Sequence, residues 1–213
     1  MIGPNGSGKS TLLDVIAGAL KPLQGTVQAH AGAVAYLPQQ LQVDAMFPIT
    51  VRDVAAMGRW PQLRPFARLG SADQGRVDSA LELLGIADLA GRRFSALSGG
   101  QRQRALLAQA VVQEAELILL DEPYTGVDAP TANVIRAQLA SWSDEGRTVL
   151  VSTHDVARAR ADFGYTLLLG NRVAEFGESA AIADGPLIAR AFGDEPTTEG
   201  AGHGDCDGGH VHG

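Results

Sequence analysis

The sequence holds a single cysteine, Cys206, in 213 residues, so an intrachain disulfide is impossible and nothing points to an oxidising compartment. Long apolar runs are missing as well. Stretches such as Leu117 to Leu120, Val149 to Val151 and Leu167 to Leu169 are strand-sized, far below the roughly 20 residues that span a bilayer, and neither end has the pattern of a signal peptide. Basic residues are outnumbered, 17 Lys and Arg against 24 Asp and Glu, for a net charge of −7. That balance removes any general electrostatic reason to bind nucleic acid or an anionic membrane. Together these absences predict a soluble, intracellular chain without a nucleic-acid partner. Apolar residues nevertheless make up 45% of the chain and charged residues 19%, which are globular rather than disordered proportions. The length suits one α/β unit.

Helical and strand patterns alternate along the chain. A glycine-rich loop, Gly3 to Gly8, opens into a helix whose apolar residues (Leu12, Leu13, Val15, Ile16, Ala19, Leu20) recur up to Lys21-Pro22. A strand over Ala33 to Leu37 stops at Pro38. Residues 45 to 105 read as mostly helical, with a helix from Val51, breaks at Pro61 and Pro65, a second helix over Ala72 to Leu84 and a third from Ser98. The unbroken apolar strand Leu117 to Leu120 implies burial on both faces. A helix over Thr131 to Trp142, the strand Thr148 to Ser152 and a hairpin turning at Gly170-Asn171 complete a parallel α/β pattern. Residues 194 to 213, rich in Gly, Asp, Glu, Thr and His, predict a disordered tail.

Gly3-Pro4-Asn5-Gly6-Ser7-Gly8-Lys9-Ser10-Thr11 fits the phosphate-binding loop G-x-x-x-x-G-K-[ST]. Its glycines let backbone amides curl around phosphates at the positive end of the following helix. Lys9 is predicted to reach the outer phosphates of ATP, and Ser10 to place its hydroxyl on Mg²⁺. Asp121 and Glu122 end the buried strand, where parallel sheets present ligand-binding groups. Asp121 is predicted to hold the Mg²⁺ shell and Glu122 to take a proton from the attacking water or orient it. An Asp-Glu pair alone can equally be an ordinary strand end.

Leu97-Ser98-Gly99-Gly100-Gln101-Arg102-Gln103-Arg104 resembles the signature of ABC ATPases, and it lies in the family's order between the loop at Gly3 and Asp121-Glu122. Ser98, Gly99, Gly100 and Gln101 read physically as a second helix start shaped for an anion. Gln39, in Tyr36-Leu37-Pro38-Gln39, is similar to the family's Q-loop glutamine, Asp128 to its D-loop aspartate and His154 to its switch histidine. Alone, each of these would be an unremarked surface residue; their common order carries the resemblance.

The resemblance implies a P-loop NTPase fold of RecA-like type. Its parallel-sheet core would span 1–44 and 106–193, with an inserted helical subdomain carrying the signature over 45–105 and the tail over 194–213. It implies ATP and Mg²⁺ as ligands, with Ser10, Gln39 and Asp121 around the metal and His154 on the γ-phosphate. It further implies a head-to-tail homodimer in which each signature loop completes the partner's site, coupled to a polytopic permease at the cytoplasmic face of the membrane. The family's N-terminal stretch, with the strand before the phosphate loop and an adenine-stacking aromatic, has no counterpart here. The expectation is therefore a natural start upstream of Met1, with exposed apolar and unpaired backbone groups around Met1-Ile2.

Phe47-Pro48-Ile49-Thr50-Val51-Arg52-Asp53-Val54-Ala55-Ala56-Met57-Gly58-Arg59 is similar to the corresponding stretch of zinc and manganese uptake ATPases, which implies an extracytoplasmic metal-binding protein as a further partner. Iron-siderophore ATPases carry a related run, and Trp60-Pro61 is nearer theirs. His203, Asp205, Cys206, His210 and His212 in the tail are donor types that bind Zn²⁺, at a spacing that fits no closed site. Two other readings remain open: a truncated cassette that does not hydrolyse ATP, disfavoured by Lys9, Asp121, Glu122 and His154, and an ABC-type DNA-repair, chromosome or translation factor, disfavoured by the single cassette and the negative charge.

Overall fold

The computed structural model describes residues 1–29, 31–39, 48–64 and 67–193. The tail with its histidines and Cys206, together with Phe47 and Pro65, lies outside them.

Three parallel strands form the centre: β1 (Val34–Leu37), β2 (Leu117–Asp121) and β3 (Thr148–Ser152), in the spatial order β1-β2-β3. All five residues of β2 are buried, as expected of a strand paired on both edges and covered on both faces. The register sets Leu37 beside Leu120 and Asp121 beside Ser152. The carboxyl ends of the three strands therefore deliver Gln39, Asp121-Glu122 and His154 to one side of the sheet.

The helix after the phosphate loop, α1 (Lys9–Ile16), is shorter than its apolar period predicted. Gly18, in the left-handed region at φ 77°, turns the chain away before Ala19 and Leu20 can join it. The short helix α2 (Val51–Ala56) starts on a reciprocal cap in which Asp53 N–H donates to the Thr50 hydroxyl and Thr50 N–H to the Asp53 carboxylate. The helix α3 (Ser71–Leu83) and the signature helix α4 (Gly99–Gln113) pack against α2 and each other. A continuous apolar core joins this group to the sheet through Val54, Leu107, Ile118, Leu120 and the fully covered Trp142. Trp142 belongs to α5 (Ala129–Asp144), which Asp128 caps by accepting from Thr131 N–H.

After α6 (Val156–Asp162), β4 (Tyr165–Gly170) and β5 (Val173–Glu178) form an antiparallel hairpin, followed by α7 (Ser179–Ala183) and α8 (Leu187–Phe192). The turn is Asn171-Arg172, one residue later than the sequence suggested. Both residues have positive φ, 41° and 61°, as the tight turn matching strand twist demands, while Gly170 pairs with Val173 as the last strand position.

Met1 and Ile2 depart from expectation. Both are buried, at 7% and 0% exposure, and their backbone is paired on two sides. Ile2 N–H donates to Leu167 O at 2.8 Å, Leu169 N–H to Ile2 O at 2.9 Å and Thr153 N–H to Met1 O at 2.9 Å. Two residues thus stitch β3 to β4 at the point where the phosphate loop begins. The apolar exposure nearby lies instead at Tyr165 and Phe176, whose rings stack on each other.

Candidate active site

The phosphate loop folds as its glycines predict. Gly6 and Gly8 take positive φ, 79° and 92°, and the space a side chain would enter at either is open, which leaves the loop free to receive a ligand. The Ser7 hydroxyl is buried without a hydrogen-bond partner. A buried, unpaired hydroxyl in a loop rimmed by amides fits an arriving phosphate.

Lys9 is 6% exposed; its ammonium donates to Gly3 O at 2.8 Å and Pro4 O at 3.1 Å and stands 3.8 Å from Glu122 Oε1. Gly3 and Pro4 therefore anchor the lysine, whereas Asn5, Gly6, Gly8, Lys9, Ser10 and Thr11 line a cavity of about 310 Å³ together with Gln39 and Glu122. Residues over 100 positions apart in sequence meet there.

Glu122 follows β2 directly and takes φ 49°, left-handed for a residue with a side chain, a conformation that persists only when its surroundings over-determine it. Its carboxylate is held by the Thr125 hydroxyl, which donates at 3.2 Å, and by His154 Nδ1 at 3.0 and 3.2 Å. The sequence places His154 on the γ-phosphate; here its ring meets Glu122, and the side chain is 61% exposed. Asp121, 4% exposed, stands behind this pair and accepts a hydrogen bond from the Ser152 hydroxyl.

The available donors suit Mg²⁺. Ser10 offers a hydroxyl, Gln39 an amide carbonyl and Asp121 a carboxylate, all hard oxygens, and no cluster of three or more His, Cys, Asp or Glu that would favour a softer metal occurs among the described residues.

The signature stretch lies elsewhere. Ser98, Gly99, Gly100, Gln101 and Asp128 line a separate cavity of about 490 Å³, so the two halves predicted from the sequence are both present and not joined within one chain. Ser98 caps α4 reciprocally with Gln101. A side chain on Gly100 would come within 2.9 Å of Thr131 Oγ1 and 3.4 Å of Asp128 Oδ1, so glycine is what lets the signature helix sit against the start of α5. Arg104 donates to Thr131 Oγ1 at 3.1 Å, and the Thr131 hydroxyl and amide hold the Asp128 carboxyl below its usual range. Thr125, Thr131, Arg104 and Ser152 were not singled out from the sequence. Only Arg104 carried a signal, as the last residue of the signature run.

In the stretch that resembles metal-uptake ATPases, Gly58 packs against the Gln109 backbone of α4. Arg59 is 12% exposed and binds Asp73, Glu114 and Val112 O. These two positions are thus accounted for by helix packing, while Trp60 beside them is exposed.

The ABC transporter family matches residues 1–125 of the chain. The manganese transport system ATP-binding protein MntB of Halalkalibacterium halodurans is 34% identical over 90% of this chain and 79% of its own length. The zinc transport system ATP-binding protein TroB of Treponema pallidum is 40% identical over 91% of this chain and 75% of its own. Among solved structures, an inward-facing ABC transporter described as of metal-chelate type superposes with a TM-score of 0.82 at 34% identity, over 90% of this chain and 76% of that one. The dimeric ATP-binding cassette MJ0796 bound to ADP and Pi superposes with a TM-score of 0.73 at 25% identity, over 84% and 83%.

Proposed function

The chain belongs to the ABC transporter family as an ATP-binding, ATP-hydrolysing cassette, and from that premise we propose that it energises uptake of manganese or zinc ions through a polytopic permease. Cassettes of this family dimerise and serve membrane transport systems. Among the described residues no helix is long and apolar enough to cross a membrane, which suits a peripheral subunit held to the cytoplasmic face by its permease. An extracytoplasmic metal-binding protein completes the importer. The helical segment 45–105 serves as the permease-facing subdomain, and 1–44 with 106–193 as the ATPase core.

The observation that carries the catalytic reading is Glu122, locked by His154 and Thr125 over the cavity that Lys9, Ser10 and Gln39 share. ATP entering this cavity offers its phosphates to the amides of Gly6 and Gly8, and draws the Lys9 ammonium away from the Gly3 and Pro4 carbonyls. Ser10, Gln39 and Asp121 would hold Mg²⁺, whose charge would offset that of the phosphates. Glu122 accepts the proton of the attacking water, and His154 keeps its carboxylate aimed. Ser98 to Gln101 and Asp128, in their separate cavity, close over the partner subunit's phosphates. Gln39, at the end of β1 and the start of the helical segment, reports the state of the site to the permease.

Because the superposed transporter is described as of metal-chelate type and Trp60-Pro61 is nearer the iron-siderophore ATPases, iron-chelate uptake is the second reading of cargo. Glu122→Gln at the native locus separates them: under chelator limitation, cellular manganese or zinc falls and the same metal restores growth. A fall in iron alone would transfer the assignment to iron-chelate uptake, and no change in any of the three would refute metal uptake.

A further inference from the structure

We infer that Ser152 is a positioning residue that fixes the Mg²⁺ ligand Asp121 and the water-activating Glu122 at the same time. The inference rests on the roles proposed above for those two acids and goes beyond them by adding the residue that sets their geometry.

Ser152 ends β3 directly beside Asp121 in the parallel register and is fully buried. A hydroxyl has one proton to give and lone pairs to receive with. Here the proton goes to Asp121 Oδ1, and an oxygen lone pair accepts Glu122 N–H at 2.9 Å. The same N–H also reaches the Ser152 carbonyl at 3.2 Å. The direction of both side-chain bonds is forced, since a carboxylate can only accept and an amide N–H can only donate.

Two consequences follow from this arrangement. With Oδ1 engaged, the Asp121 carboxylate cannot rotate freely and presents Oδ2 as its remaining oxygen. Glu122, meanwhile, is pinned by its amide at the left-handed φ of 49°, the conformation from which its side chain reaches Thr125 and His154. Without the hydroxyl, a buried carboxylate oxygen would lose its donor and Glu122 N–H would lose its better acceptor. A bulk-conserving apolar residue would fill the space and hold neither group.

The test uses Ser152→Ala and, at nearly equal volume with a weaker donor, Ser152→Cys. Mn²⁺ serves as a spin probe in place of Mg²⁺, its binding followed by electron paramagnetic resonance with a non-hydrolysable ATP analogue. Loss of a hydrogen bond to a charged group predicts Mn²⁺ affinity about tenfold weaker in Ser152→Ala and an intermediate value in Ser152→Cys. Analogue binding without metal stays within about twofold, and kcat at saturating metal falls by about tenfold. Mn²⁺ affinity within twofold of the parent in Ser152→Ala would overturn the inference alone. Equal losses with and without metal, accompanied by a lowered Tm, would overturn it in favour of a purely structural serine. If the unsubstituted chain shows no nucleotide-dependent Mn²⁺ binding, the assignment of Asp121 falls, and the inference with it.

Discussion

Lys9 Nζ lies 3.8 Å from Glu122 Oε1, with both side chains more than nine-tenths buried. The one positive group of the phosphate loop and the acid proposed to activate water are thus held together, although 113 positions separate them in sequence. Removing the negative member changes chemistry without taking away the cation that ATP needs. Glu122→Gln is expected to lower kcat by about 10²–10⁴ while ATP affinity is not weakened. Equilibrium binding of a fluorescent ATP analogue beside a phosphate-release assay checks both halves.

His154→Ala removes the ring that holds the Glu122 carboxylate at 3.0 Å but little packing, because the side chain is largely exposed. The expected result is a fall in kcat of about tenfold or more with stability altered by no more than about 0.5 kcal/mol. A thermal melt that drops along with activity would show that His154 acts through the fold instead.

At the other half-site, Gly100→Ala drives a methyl group to 2.9 Å from Thr131 Oγ1, whereas Gly99→Ala meets the Gly126 carbonyl at 3.3 Å. The first is expected to displace the start of α4 and impair ATP turnover more than the second. Neither should alter nucleotide binding at the phosphate loop of an isolated subunit. Adding Thr131→Ala to Gly100→Ala relieves the overlap, so the double variant is expected to recover part of the lost turnover. Strictly additive losses in the cycle would contradict this contact.

Local chemistry made much of this protein legible in its sequence. The phosphate loop, the helix start at Ser98 and the buried strand at Leu117 depend on residues within a few positions of one another, whereas Gln39, Asp121 and His154 were legible only through the order they share with the family. Such short-range patterns determine which backbone and side-chain bonds are available. The hairpin turn was misplaced by one residue because Gly170 offered the conformational freedom that Asn171 and Arg172 supply.

What only the tertiary structure decided is which distant groups meet. That Ser152 gives its proton to Asp121 follows from the pairing register of β2 with β3, while the bridges of Ile2 to Thr153 and Leu168 join β3 to β4 and the fold brings Lys9 to Glu122. A serine at a strand end looks the same in sequence whichever neighbour it faces. Only when parallel pairing sets Ser152 beside Asp121, both buried, does its hydroxyl acquire a defined donor and acceptor.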